Sequence, residues 1–251
     1  MKKAVLLTFI FTQLLFCQVN TEKYRHFGDS LGFSGIMKLD ASIQTGNTDL
    51  QELGSGVRLD YKNYGSTILL ILNGDYGWNN GMQFSNEALA HLRFVKALND
   101  NLKFEVYTQL NYDKSLLLLF RALGGGGLRV KLFDNRSYVL WFGSAYMLEY
   151  ERYSAQRRII DKKKILANRW SNYLSYNLSV HKNVSISSVI YFQPRFDKLK
   201  DIRILMETSL LVNLSDNFSL SVDFNLRYDH YTPAGIKEID TNSKIGFIYN
   251  F

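Results

Sequence analysis

The feature that most constrains this chain is alternation with a period of two. Over residues 241–251, Thr241, Ser243, Ile245, Phe247, Tyr249 and Phe251 fall on one side of an extended backbone, and Lys244, Gly246 and Asn250 on the other. Successive side chains of a strand point to opposite faces, so this segment is a ribbon with one apolar and one polar surface. The pattern recurs at Leu102, Phe104, Val106, Thr108, Leu110 and Tyr112, interleaved with Lys103, Glu105, Gln109 and Asn111. It returns at Phe218, Leu220, Val222, Phe224, Leu226 and Tyr228, with Ser219, Ser221, Asp223, Asn225 and Arg227 between them.

Twelve such segments are predicted, at 35–44, 52–61, 67–76, 87–97, 102–112, 116–132, 137–151, 169–181, 184–193, 202–213, 218–229 and 241–251. The third is the weakest, because Ile68 to Leu72 is apolar on both faces and fits a short buried helix as well as a strand. Short links, rich in Asn and Asp, fall at 62–66, 99–101, 134–136, 182–183 and 215–217. These residues tolerate tight hairpin geometry. Longer links are expected at 45–51, 77–86, 152–168, 194–201 and 230–240, with a short exception near Asp113 to Ser115. Pro194 and Pro233, the only prolines, are both expected in loops, since proline cannot donate to a strand ladder.

Composition alone resembles a soluble domain, with 46% hydrophobic and 21% charged residues and a mean hydropathy of −0.15. A barrel wall reconciles this with a membrane, because only alternate residues meet lipid while the others meet a polar interior. The 17 Phe, 16 Tyr and 3 Trp suit aromatic girdles at two interfaces. The fold expected is all-β, a membrane-spanning antiparallel up-and-down β-barrel of about 12 strands over residues 35–251, closed by the strand ending in Phe251. Short turns then face the periplasm and long loops the exterior. Phe247, Tyr249 and Phe251 are the expected signal for the barrel assembly machinery.

The amino terminus agrees independently. Lys2 and Lys3 precede an apolar run from Ala4 to Phe16, followed by polar Gln18 and Asn20. The run is shorter than the roughly 20 residues of a spanning helix, so residues 1–17 are predicted to be a secretory signal peptide and 18–34 a short periplasmic leader. Phe16 stands where a lipobox needs a small residue, which argues against lipidation of Cys17, the only cysteine.

Several motifs resemble those of the salt-induced outer membrane protein family, domain of unknown function 481. They are Gly46-Asn47-Thr48, the glycine-rich strand Arg121 to Leu132 with Gly124 to Gly127, and the segment Tyr146 to Tyr150. The ending from Tyr228-Asp229 carries Pro233-Ala234-Gly235, Asp240-Thr241 and Gly246 to Phe251. Asn250 stands where that family often has a basic residue. The resemblance spans nearly the whole mature chain. It implies an outer-membrane barrel and no settled activity, cofactor or site.

Signals for chemistry are few. Gly124 to Gly127 lacks the strand-to-helix context of a phosphate loop and reads as a bend, bulge or close packing within a strand. His26, His91, His181 and His230 show no metal-ligand spacing. No metal or cofactor is expected. His91 is predicted to point inward, near Glu87, Arg93, Glu105 and Gln109, and no serine follows it at the spacing of a barrel phospholipase. The inward polar candidates also include Arg58, Asp60, Arg121, Arg129, Glu149, Glu207 and Asp223. Pairing across strands would fill the lumen, whereas acids and bases on separate walls would make an ion-selective path. Arg93 with Glu105, and Arg121 with a neighbouring acid, are the pairs expected.

The segment 152–169, expected to be an external loop, holds Arg152, Arg157, Arg158, Lys162, Lys163, Lys164 and Arg169 against the single acid Asp161. Arg157, Arg158, Lys162, Lys163 and Lys164 are candidates for clamping the phosphates of lipopolysaccharide, because clustered bases concentrate anions. Outer-membrane lipid, lipopolysaccharide and the assembly machinery are the expected partners, and nucleic acid is not. The function that fits is a non-enzymatic structural barrel or narrow channel for small polar solutes or ions. A lipid-modifying enzyme with a site at the external rim, and a surface receptor or adhesin, are the alternatives.

Overall fold

Every alternating segment forms a strand in the computed structural model, which describes residues 31–44, 50–79, 82–154, 164–233 and 235–251. The strands are β1 (Gly32–Gln44), β2 (Leu50–Asn63), β3 (Ser66–Asn79), β4 (Met82–Ala97), β5 (Leu102–Asp113) and β6 (Leu118–Asp134). They continue as β7 (Tyr138–Tyr153), β8 (Lys164–His181), β9 (Val184–Arg195), β10 (Lys198–Asn213), β11 (Phe218–Asp229) and β12 (Ile239–Asn250). Each pairs antiparallel with the next, and β12 returns to β1, so the sheet is a closed barrel in chain order. Closure leaves no open edge, the condition for burying a sheet in lipid.

The pleat sorts the side chains as the alternation requires. On β12, Ile245, Phe247, Tyr249 and, beyond it, Phe251 are exposed on the outer wall, while Lys244, Gly246, Ile248 and Asn250 are buried inside. Thr241, in register opposite Leu226, is buried rather than exposed. The outer wall exposes aliphatic residues such as Leu92, Val106, Leu128, Leu148 and Val222 together with aromatic ones such as Tyr146, Trp170 and Phe247. At the seam, Gly35 and Phe251 exchange backbone hydrogen bonds of 2.9 and 3.0 Å, and the Phe251 ring lies over Gly35. A side chain at Gly35 would collide with that ring.

Short turns gather at one end, at 64–65, 98–101, 135–137, 182–183 and 214–217. Asparagine carboxamides hold two of them: Asn99 Oδ1 accepts from the amides of Asn101 and Leu102, and Asn135 Oδ1 from those of Ser137 and Tyr138. Gly65 supplies the left-handed residue of the first turn, with φ of 70°. The opposite end, called the loop end below, carries the remaining connections.

Several boundaries differ from the sequence reading. β1 starts at Gly32, inside the segment expected to be a strandless leader. Residues 77–86 and 194–201 are not long loops, because β3 with β4, and β9 with β10, run on as hairpins linked by 80–81 and 196–197. Pro194 therefore lies within β9, beside a register shift between Lys198 and Ile202 that accommodates its missing donor. The third segment is a strand, not a helix. The signal-peptide reading of residues 1–17 falls outside the described residues.

Candidate functional site in the lumen

The inner wall is where chemistry concentrates. Arg93, Arg121, Arg129, Arg169, Arg203 and Arg227 are each at most 2% exposed, although none faces an apolar core alone. A charge removed from water keeps a penalty of several kcal/mol unless it is paired, so partners decide whether such an interior is tenable.

Near the loop end, β7 places Glu149 and Glu151 on the same face, two residues apart, and three other strands send arginines to them. Arg121 on β6, the register partner of Glu151, is ion-paired with it and lies 3.5 Å from Glu149. Arg169 on β8 reaches Glu149 at 3.1 Å and Asp201 on β10 at 2.9 Å. Its other donors go to the backbone carbonyls of Gln193 and Asp201. Arg203 on β10 reaches Glu149 at 2.6 Å, Glu151 at 2.9 Å and Asp229 on β11 at 3.1 Å. Arg203 and Glu149 stand three strands apart, so this pair crosses the barrel rather than running along its wall. Arg227 extends the network through Asp229 at 3.0 Å to Asp240 at 3.6 Å. Beside it, Leu116, Leu118, Tyr153, Ile165 and Ala167 form an apolar cluster with Ile236 of the β11–β12 connection packed against it.

A second cross-lumen group sits lower. Arg93 meets Glu105 at 3.2 Å, and the Tyr173 hydroxyl, from three strands away, donates to the same carboxylate at 2.8 Å. Gly143 makes room for that ring: a Cβ there would lie 2.2 Å from Tyr173 Cε1. His91 Nδ1 is 3.1 Å from Gln109 Oε1, and Arg93 Nε donates to His91 Nε2 at 3.4 Å. Both ring nitrogens of His91 are thus engaged, which fits a structural role better than a general base.

On the wall from β11 to β3, Lys38 pairs with Asp40 at 2.9 Å and Asp223 at 2.7 Å. Lys244 reaches Asp40 at 3.5 Å and is also paired with Asp75. Gly54 and Gly246 seat these groups, since a Cβ at either would come within 2.3 Å of Asp40 Oδ1 or Lys38 Cε. Arg58 grips Asp60 through Nε at 2.7 Å and Nη2 at 3.0 Å. Glu87 stands in register between Asp75 and Asp113, and Glu207 between Val189 and Asn225, both half-buried. Arg129 lies over the Trp141 ring, 4.2 Å from its centroid.

Two parts of the sequence reading change. Arg169, assigned to the external basic loop, is fully buried inside the barrel, because β8 begins at Lys164 and carries position 169 inward. Arg152 and Lys164 are exposed at the facing ends of β7 and β8, whereas Arg157, Arg158, Lys162 and Lys163 lie outside the described residues. Asp201 and Asp240 were missed because they sit just beyond the expected strand ends. Continuing the alternation by one step would have found both. Among the described residues, no group of three or more His, Cys, Asp or Glu is placed to hold a metal ion.

A closed twelve-strand wall, apolar outside and charged inside, defines an outer-membrane β-barrel of porin-like fold. Similar solved structures are an outer membrane channel from Pseudomonas putida F1 and the NanC porin. The channel aligns with a TM-score of 0.57 and 9% identity, over 93% of this chain and 100% of that one. The porin aligns with 0.53 and 8% identity, over 86% and 98%. At such identities the likeness is one of fold. No curated protein matches the chain. The chain belongs to the family described as Protein of unknown function, DUF481, which matches residues 38–251.

Proposed function

We propose that the protein is a non-enzymatic barrel of the outer membrane and provides a narrow path for small polar solutes or ions. The observation that carries this reading is the closed twelve-strand, porin-like wall with its charged inner face, in which the ion pairs of Arg203 with Glu149 and Glu151 narrow the lumen without making separate acidic and basic walls. A wall needed only for support could close over an apolar interior at lower electrostatic cost. Here the inner face carries buried charged side chains along its length. Twelve strands lie between the filled eight-strand barrel and the aqueous barrels of 16 to 18 strands, where side chains decide the bore. The short turns face the periplasm in this reading.

Purified protein in a planar bilayer tests it. Small, uniform current steps are expected, larger in the Arg203→Ala, Glu149→Ala double variant, which removes the crossing pair. A bilayer that stays silent with both proteins, each verified as folded by heat-modifiable migration, excludes the path and leaves a purely structural barrel.

A further inference from the structure

The loop end of the lumen carries an apolar patch where a polar one is expected. Inner positions of a membrane barrel are polar where they meet water. Yet Leu118, Tyr153, Ile165 and Ala167, at the loop-end termini of β6, β7 and β8, cluster with Leu116 of the β5–β6 link, and all five are at most 6% exposed. Leu117, between two members of the cluster, has a left-handed φ of 56°. A leucine rarely adopts that backbone, because its Cβ crowds the following carbonyl, so the cluster is assembled at a conformational cost.

The β11–β12 connection covers this patch. In the closed sheet β6 stands six strands from β12 in either direction, so Ile236 has to reach over the mouth to pack on the cluster. The route is well built. Tyr231 is 6% and Thr232 1% exposed, and Pro233 is buried. Thr232 Oγ1 donates to the Ile236 carbonyl at 2.8 Å, the Ile236 amide donates to the Pro233 carbonyl at 3.1 Å, and Gly235 takes the left-handed turn with φ of 86°. Lys198 on β10 lies 3.9 Å from the centroid of the Tyr231 ring. At the root, the Asp229 amide donates to the Glu238 carbonyl at 2.9 Å. Asp229 Oδ1 accepts from the Tyr231 amide at 3.1 Å while Oδ2 accepts from Arg203, so one carboxylate anchors both the connection and the crossing ion pairs.

These contacts divide into two kinds. The hydrogen bonds within 232–236 travel with the segment if it swings, whereas the half-buried Ile236 side chain meets the far wall by apolar packing alone, which has no direction to fix it. We infer that the β11–β12 connection is a lid over the loop-end mouth, hinged at Asp229 and Glu238, latched by Ile236 on the cluster of Leu116, Leu118, Tyr153, Ile165 and Ala167, and shut in this structure. Its use rests on the channel reading, since lifting it admits solute to the path, but the movement itself needs no conduction.

A thiol placed under the latch tests it. Cys17 is the only native cysteine, so Ala167→Cys in a Cys17→Ser background puts a single reporter in the covered cluster with little change in volume. The folded protein in detergent is treated with a polymer-bearing maleimide, too large to pass the gap that an alanine at 236 would leave. Labelling should be slow with Ile236 in place and about tenfold faster with Ile236→Ala, as expected for losing the burial of roughly two methylene-sized groups. Thr232→Val, which removes the hydroxyl bonded to the Ile236 carbonyl, should speed labelling less. If Ile236→Ala fails to show heat-modifiable migration, Thr232→Val decides the matter by the same rate. Equal labelling with and without the lid substitution overturns the lid, even if the bilayer conducts. Faster labelling with a bilayer that stays silent keeps the lid and sinks the path.

Discussion

At the loop end of the lumen Glu149 and Glu151 collect Arg121, Arg169 and Arg203, whereas at the short-turn end Lys103, Arg129 and Lys131 gather on the ring of Trp141. The first group is a balanced lattice whose members are at most 1% exposed. In the second, Lys103 and Lys131 keep partial access to solvent. Arg129 is as buried as the first group, and its guanidinium lies over the Trp141 ring. Where water is excluded, each arginine needs a carboxylate within reach, and the chain supplies Glu149, Glu151, Asp201 and Asp229. At the short-turn end Lys131, closer to solvent, meets Asp134 at 2.6 Å, an ion pair that water screens more strongly.

The largest expected effect comes from breaking the balanced group. Glu149→Gln leaves Arg121, Arg169 and Arg203 each short of one carboxylate, and should cost about 3–5 kcal/mol in urea unfolding from lipid vesicles. Arg129→Gln, at the other end, should cost well under half as much; equal losses would erase the contrast between the ends. Next in size is a probe of the outer wall. Ile245→Lys places charge in the lipid belt and should cost roughly 2–4 kcal/mol at mid-membrane. An unaffected yield of heat-modifiable barrel would mean that Ile245 does not face lipid.

Two smaller tests refine the picture. Gly127 lies where β6 closely approaches β7, and a Cβ there would fall 2.1 Å from the Ser144 carbonyl oxygen. Gly127→Ala must shift backbone and should cost on the order of 1–3 kcal/mol. Gly143→Ala meets only the end of the Tyr173 ring and should cost less, chiefly through the Tyr173–Glu105 hydrogen bond. The reverse order in thermal melts would contradict the packing described for both glycines.

The smallest effect belongs to the exposed pair Arg195–Asp197, 2.6 Å apart at the β9–β10 turn. The hydrogen bond from Arg195 holds the Asp197 carboxyl below its ordinary range. A depressed folded-state value stabilises the barrel above the unfolded carboxylate range, and that contribution is lost as pH falls through the folded value. Because Asp197 is mostly solvated, Asp197→Asn should change stability by less than about 1 kcal/mol, and only at neutral pH. A loss that persisted in acid would implicate something other than this pair.

Much of the fold was legible because the relevant information is local. Lys103, Glu105, Gln109 and Asn111 between apolar neighbours declare an inner and an outer face before any partner strand is known. Strand ends were less legible. Pro194 and the stretch 77–86 carry loop-like residues, yet hairpin pairing extends past them, because neighbouring strands already supply a ladder to continue. Arg169 shows the consequence: a misplaced strand end moved a buried lumen arginine into an external loop.

By itself, then, the sequence determined that the chain builds an alternating, closable wall with charge on its inner face, since a period of two depends only on adjacent residues. The tertiary structure alone decided which charge meets which. Arg203 and Glu149 are 54 residues apart, and Tyr173 and Glu105 are 68 apart. Strand stagger and barrel closure, which bring such residues across one lumen, are properties of all twelve strands together and of no single segment.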